Sequence, residues 1–132
     1  MLTAEQSTFL RDHSTAVLGT GRADGSPQLS TVMYDYDGND VVVSVKSYTA
    51  KWKNVLRQQR VALCVNDGRA QLVVYGHAEA ISRDPERVEL TRRVFRRIAG
   101  REPPAASDLV SVLDAQRRTV LRIRPEAAFL NA

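Results

Sequence analysis

The sequence predicts a mainly β, α+β protein: a six-stranded antiparallel barrel with flanking helices. Six short runs rich in Val, Ile, Leu and Thr lie along the chain, and Asp24-Gly25, Asp37-Gly38 and Asp67-Gly68 separate neighbouring runs as hairpin turns. No G-x-G-x-x-G or Walker loop opens a helix after a strand, which argues against a parallel βαβ sheet and its usual nucleotide sites. The 132 residues suit one domain, 1–132, and 43% hydrophobic with 26% charged residues is a globular composition.

Thr3, followed by Gln6, predicts a capping box that opens a short helix through about Asp12. Thr15 to Thr20 is a short β run, and Asp24-Gly25 turns into a second run over Gln28 to Asp35. Asp37-Gly38 leads to Asp40 to Val45 (DVVVSV), which completes a meander. Ser47 to Gln59 then changes period. Thr49 is placed to cap a helix over AKWKNVLRQQ, with Trp52, Val55 and Leu56 at helical spacing.

Arg60 to Asn66 returns to strand, Asp67-Gly68 turns, and Gln71 to Ile81 reads as a long strand. Gly76 inside it marks a bulge or a close backbone approach. Asp84 or Pro85 begins a helix of about 14 residues with Val88, Thr91, Val94, Phe95 and Ile98 as its inner face, stopped by Gly100. After the loop Glu102-Pro103-Pro104, Ser107 is placed to cap a further helix to about Ala115. Arg118 to Arg124 alternates as the last strand before Pro125.

A net charge of +4 and a pI near 9.6 favour anionic partners. Every lysine (Lys46, Lys51 and Lys53) falls in one short stretch, while the remaining basic residues of the 19 are arginine. Lysine is a compact charge on a flexible stem, suited to phosphate; arginine is a rigid planar fork. The run Asp40 to Val45 passes here into a helix N-terminus, which supplies unpaired backbone N–H groups and a positive dipole end. Ser47 and Thr49 add hydroxyl donors, Lys46 enters from the strand end, and Lys51 projects from the first helical turn. A phosphomonoester matches that set. The blander reading is a solvated amphipathic helix whose lysines face water.

Other features exclude more than they assign. Cys64, in the apolar run VALCV, reads as a buried structural thiol. His13 and His77 are not spaced as a metal pair, so no metal site is expected. No apolar stretch approaches the roughly 20 residues that cross a bilayer, and the N-terminus lacks the basic start and apolar run of a signal peptide. A cytoplasmic protein without a membrane partner is expected. Aromatic residues are only 6% and do not interleave with basic ones, so no specific nucleic-acid binding is expected. No paired carboxylates or nucleophile–base motif suggest hydrolysis.

The pattern PQLSTV at Pro27 to Val32, VSVK at Val43 to Lys46 and AKWKNV at Ala50 to Val55 resembles the pyridoxamine 5′-phosphate oxidase-like family. The resemblance extends to AVLGT at Ala16 to Thr20, the D-G-x-P-Q hairpin at Asp24 to Gln28 and YGHAE at Tyr75 to Glu79. It implies an FMN-binding split β-barrel that holds flavin mononucleotide or the deazaflavin coenzyme F420. It further implies phosphate contacts from Lys51, Lys53 and Asn54 in the turn opened by Ala50, with Lys46 close by. Ser44 and Val45 would offer backbone contacts to the ring edge, and Gln28, Ser30 and Val32 would line the ring pocket. Family members are usually homodimers with sites at the interface, so Arg69 and Gln71 are expected to reach a partner's cofactor.

The chain lacks the C-terminal arginine and histidine substrate residues of true pyridoxamine phosphate oxidases, so vitamin B6 oxidation is not expected. Its short length and A-K-x-K/R-N form look more like the deazaflavin-dependent reductases of the superfamily. The expected activity is hydride transfer from coenzyme F420 to an electron-poor small acceptor such as a quinone, an enone or a tetrapyrrole. Tyr34, Tyr48 and Tyr75 are candidate proton donors, with solvent as the alternative. The other readings are an FMN-dependent oxidoreductase on the same barrel and a non-catalytic cofactor carrier. Arg92/Arg96 and Arg93/Arg97, each four apart, read as a solvated stripe with Arg101, or as a seat for the coenzyme's oligoglutamate tail.

Overall fold

The computed structural model describes residues 2–131. In chain order the elements are α1 (Ala4–Asp12), β1 (Thr15–Gly21), β2 (Pro27–Tyr36), β3 (Val41–Lys46), α2 (Ala50–Arg57), β4 (Arg60–Asn66), β5 (Gln71–Ile81), α3 (Glu86–Ala99), α4 (Ala106–Gln116) and β6 (Arg118–Asn131). The six strands close into a barrel of order β1-β2-β3-β6-β5-β4, antiparallel at every pairing. The fold class expected from the hairpin signals is the one observed.

Alternation along each strand fills the barrel. Leu18, Val32, Tyr34, Val43, Leu63, Val74, Leu121 and Ile123 point inward and are at most 5% exposed. The Thr3–Gln6 capping box forms as expected, and Leu10 of α1 joins this core. Trp52 and Val55 of α2 do the same, while Leu56 of that helix is exposed and α2 ends at Arg57, before the expected Gln59. Against the outside of the barrel, Leu90 and Val94 of α3 cover Val42, Ile81 and Val120.

Three expectations need correction. The last strand does not stop before Pro125 but runs on to Asn131. Proline is tolerated because the register shifts between Tyr75 and Gly76, opposite Pro125, and a bulge frees the ladder position whose N–H proline lacks. Gly76 is required there: a Cβ would stand 2.5 Å from the Arg124 carbonyl oxygen. Next, α4 starts at Ala106 with Ala105 at its N-cap, so Ser107 lies inside the first turn. Finally, Cys64 is half-buried and outward-facing, between Val17 and Val73, because Leu63 and Val65 take the inward positions.

Candidate functional site

The chain turns from β3 into α2 through residues 47–49. Thr49 holds extended backbone angles at the N-cap, but its side chain does not cap the helix. Its Oγ1 donates to the Lys46 carbonyl oxygen at 2.7 Å, and its amide donates to the same oxygen at 3.1 Å. The helical ladder begins when the Lys53 amide donates to the Thr49 carbonyl oxygen at 3.2 Å. The amides of Ala50, Lys51 and Trp52 therefore lack intrahelical partners and present the positive end of the helix.

A cleft of about 830 Å³ opens beside this junction. Its apolar wall is the C-terminal half of α3 with Val94, Phe95, Ile98 and Ala99, continued by Pro103 and Pro104. The facing wall is Thr31 to Met33 of β2 and Ser44 to Lys46 of β3, and Thr49, Lys51 and Arg118 complete the cationic end. Ile98, expected on the inner face of its helix, is 42% exposed because it faces this opening.

Charge pairing separates the cleft from the rest of the molecule. Lys46, Lys51 and Arg118 are half-buried, and none meets a carboxylate among the described residues. The other arginines buried to that degree, Arg87, Arg92, Arg93 and Arg122, each hold an Asp or Glu at 2.7–3.3 Å. Partly desolvated cations without counter-ions cost stability, and a bound anion offsets that cost. The ammonium groups of Lys46 and Lys51 beside the α2 N-terminus suit a phosphate.

The expected site residues do not all converge. Lys46, Lys51, Ser44, Val45 and Val32 line the cleft. Lys53, Ala50, Asn54 and Gln28 instead line a neighbouring cleft of about 420 Å³ along another face of α2, with Arg22 and Arg57. Asn54 is buried and committed to the chain. It accepts from Arg57 Nη2 at 3.1 Å, and its Nδ2 donates to Thr20 Oγ1 at 3.1 Å; Thr20 in turn donates to Gln28 Oε1 at 3.3 Å.

Ser30, Val32 and Gln28 share the inward side of β2, as expected, but that side faces the barrel interior. Ser30 Oγ is buried without a partner among the described residues, and Val32 is only 5% exposed. Of this set only Val32 borders the cleft, between the outward positions Thr31 and Met33. Arg69 and Gln71 lie apart, with Asn66 and Asn131, at the β4–β5 hairpin. Sequence reasoning missed Arg118 and the α3 wall. The parity of Val32, Tyr34 and Tyr36 was the available signal that the outward face of β2 carries the site.

The arginine stripe of α3 is solvated only in part: Arg96, Arg97 and Arg101 are exposed, with Arg101 at the edge of the cleft, while Arg92 and Arg93 are half-buried. Arg93 binds Asp35 at 3.2 Å and Asp37 at 3.3 Å, and Arg97 donates to the carbonyl oxygens of Arg11 and His13. Arg92 and Arg96 hold Glu102 at 3.3 and 3.1 Å, which ties the loop wall to the helix. Among the tyrosines, burial pushes the Tyr34 hydroxyl well above its ordinary value, and it donates to the Leu10 carbonyl oxygen at 2.8 Å inside the barrel. Tyr75 is on the outer face of β5, away from the cleft. Tyr48 stands near it, with Lys46 Nζ 5.9 Å from its ring centre.

The family model described as pyridoxamine 5′-phosphate oxidase matches residues 2–132. A solved structure described as an F420 reductase is 26% identical, with 97% of this chain and 98% of that chain covered, at a TM-score of 0.75. A conserved hypothetical protein from Mycobacterium tuberculosis is 24% identical over 98% of this chain and 84% of its own, at a TM-score of 0.81. The heme storage protein HutZ from Vibrio cholerae is 19% identical over 97% of this chain and 93% of its own, at 0.69. The last two likenesses show the fold alone.

Proposed function

The chain belongs to the pyridoxamine 5′-phosphate oxidase family, and we propose that it is an oxidoreductase that binds coenzyme F420 in the α3 cleft and serves hydride transfer to an electron-poor small acceptor. The observation that carries this reading is the convergence of Lys46, Lys51 and the first-turn amides of α2 beside an apolar wall. A phosphate fits the cationic end, and a flat conjugated ring fits between α3 and the outward face of β2 and β3. The reduced coenzyme supplies the hydride when bound; the chain's residues fix its phosphate, orient its ring and exclude water.

The neighbouring cleft supports the deazaflavin over FMN. Arg22, Lys53 and Arg57 line it along a neighbouring face of α2, where cations would meet an acidic tail leading away from the phosphate. FMN has no such tail. The cytoplasm is the compartment this reading requires; among the described residues no helix is long and apolar enough to cross a membrane. The proton that completes reduction comes from solvent. The apolar wall offers no acid, and Glu102 at its edge is held by two arginines.

The same reading has the protein act as a pair. Leu29, Met33, Val17, Tyr75 and Phe129 are 38–65% exposed and lie together on the outside of the barrel. Their strands place Val17 beside Thr31 and Cys64, Ala62 beside Tyr75, and Val73 beside Phe129. A second copy covering this apolar face would border the cleft at Met33. Arg69 and Gln71 would then reach the partner's cofactor rather than this chain's.

The test is to purify the protein, release any retained small molecule for mass determination, and titrate the stripped protein with F420 and with FMN. Tighter binding of F420 supports the reading. Preference for FMN moves it to the flavin branch, and binding of neither rejects it.

A further inference from the structure

We propose that Arg118 forms a second anion subsite in the cleft, one that takes the carboxylate of a flat, conjugated organic acid lying against the apolar wall of α3. This rests on the cleft being a redox-cofactor site, and it concerns the second ligand rather than the cofactor.

Arg118 is the one half-buried arginine among the described residues that holds no carboxylate. It stands in register with Lys46 across β3 and β6, and both side chains line the cleft. Like charges directly opposite on neighbouring strands are destabilising, so the arrangement costs stability until an anion joins it. A phosphate at the end of α2 has Lys46, Lys51 and the helix dipole for balance. The charge of Arg118 is surplus to that need.

The guanidinium is also held in place. Its Nε donates to Gln116 Oε1 at 3.0 Å and its Nη1 to Ser44 Oγ at 3.5 Å. The backbone beneath it is fixed by Arg87, which donates to the Arg118 carbonyl oxygen at 3.2 Å and is itself bound to Asp84 and Asp114. The remaining guanidinium donors form a planar fork that matches a carboxylate. Glu102, the acid lining the cleft, does not compete for it because Arg92 and Arg96 hold that carboxylate. Beyond the charged end, Val94, Phe95, Ile98 and Pro103 offer apolar surface, with the exposed Arg101 only at its rim, which fits the unsubstituted body of a conjugated ligand.

The experiment compares anthraquinone-2-carboxylate with its neutral carboxamide by calorimetric titration of the protein, both loaded with F420 or FMN and stripped. The expected result is that the acid binds about tenfold more tightly than the amide, the size of one charge-assisted contact. In Arg118→Gln that ratio collapses toward one, and Arg118→Lys restores part of it. In Lys51→Ala the ratio persists while cofactor affinity falls. Equal binding of acid and amide to the unsubstituted protein overturns the proposal. So does a ratio that survives Arg118→Gln, or a loss of cofactor affinity in Arg118→Gln as large as in Lys51→Ala, since Arg118 would then serve the cofactor. Failure of both cofactors to bind the unsubstituted protein sinks the redox reading instead, and the stripped-protein titration still reports on Arg118 by itself.

Discussion

Lys46, the last residue of β3, pairs in register with Arg118, the first of β6, and neither side chain has a carboxylate partner among the described residues. Two like charges at directly opposed strand positions, both half-buried, weaken the fold unless something negative lies near them. The cleft therefore gathers unbalanced positive charge, and small anions should relieve it. Phosphate is expected to raise the melting temperature above that in sodium chloride of equal ionic strength. At a hundredfold excess over its dissociation constant the gain is about 2.7 kcal/mol. Identical melting in the two salts would show that no anion site exists.

The arginines of α3 brace the helix. Replacing Arg93 and Arg97 together with glutamine removes the ties to Asp35 and Asp37 and to the carbonyl oxygens of Arg11 and His13. Because these contacts are partly exposed, the expected cost is about 1 kcal/mol of unfolding free energy, with cofactor affinity unchanged across salt concentrations. A salt-dependent fall in affinity without loss of stability would restore the stripe as a ligand seat.

Gly76→Ala is expected to destabilise the barrel by at least about 2 kcal/mol, because the added methyl meets backbone rather than a movable side chain. Chemical denaturation measures this directly. A change below about 0.5 kcal/mol would mean that the bulge relaxes freely.

The Asp84–Arg87–Asp114 cluster gives a pH dependence of known sign. Hydrogen bonding from Arg87 holds the Asp84 carboxyl below its ordinary 3.8, partly opposed by burial. A carboxylate depressed in the folded state contributes stability above its unfolded value, and loses it as pH falls through the lower folded value. The protein should thus shed this contribution only below about pH 3.8. Arg87→Met should cost about 1–2 kcal/mol near neutrality and flatten the acid limb of the stability curve. An unchanged acid limb would assign the sensitivity to other carboxylates.

The barrel was legible in the sequence because its signals are local. Asp-Gly turns set the hairpins, and Val and Leu alternation set the strands. The extension of β6 beyond Pro125 was not legible, since it depends on Gly76 in another strand. Lys46 and Lys51 could be read because they flank one strand-to-helix turn, whereas Arg118 arrives from far along the chain by pairing with β3. Lys53 and Asn54 look equivalent to Lys51 in sequence, yet helical rotation carries them to the adjoining cleft. On β2 both faces carry apolar residues. Leu29 and Met33 belong to the uncovered outer surface, which made the inward set of Gln28, Ser30 and Val32 hard to separate from the cleft-facing one.

Titration of F420 against the unsubstituted protein, Lys51→Ala and Lys53→Ala goes to the core of the account. Loss of Lys51 is expected to weaken binding by about ten- to a hundredfold, as for one charge-assisted phosphate contact. Loss of Lys53 should weaken F420 several-fold less and leave FMN untouched. Equal affinities for all three proteins would contradict a phosphate seated at the β3–α2 turn.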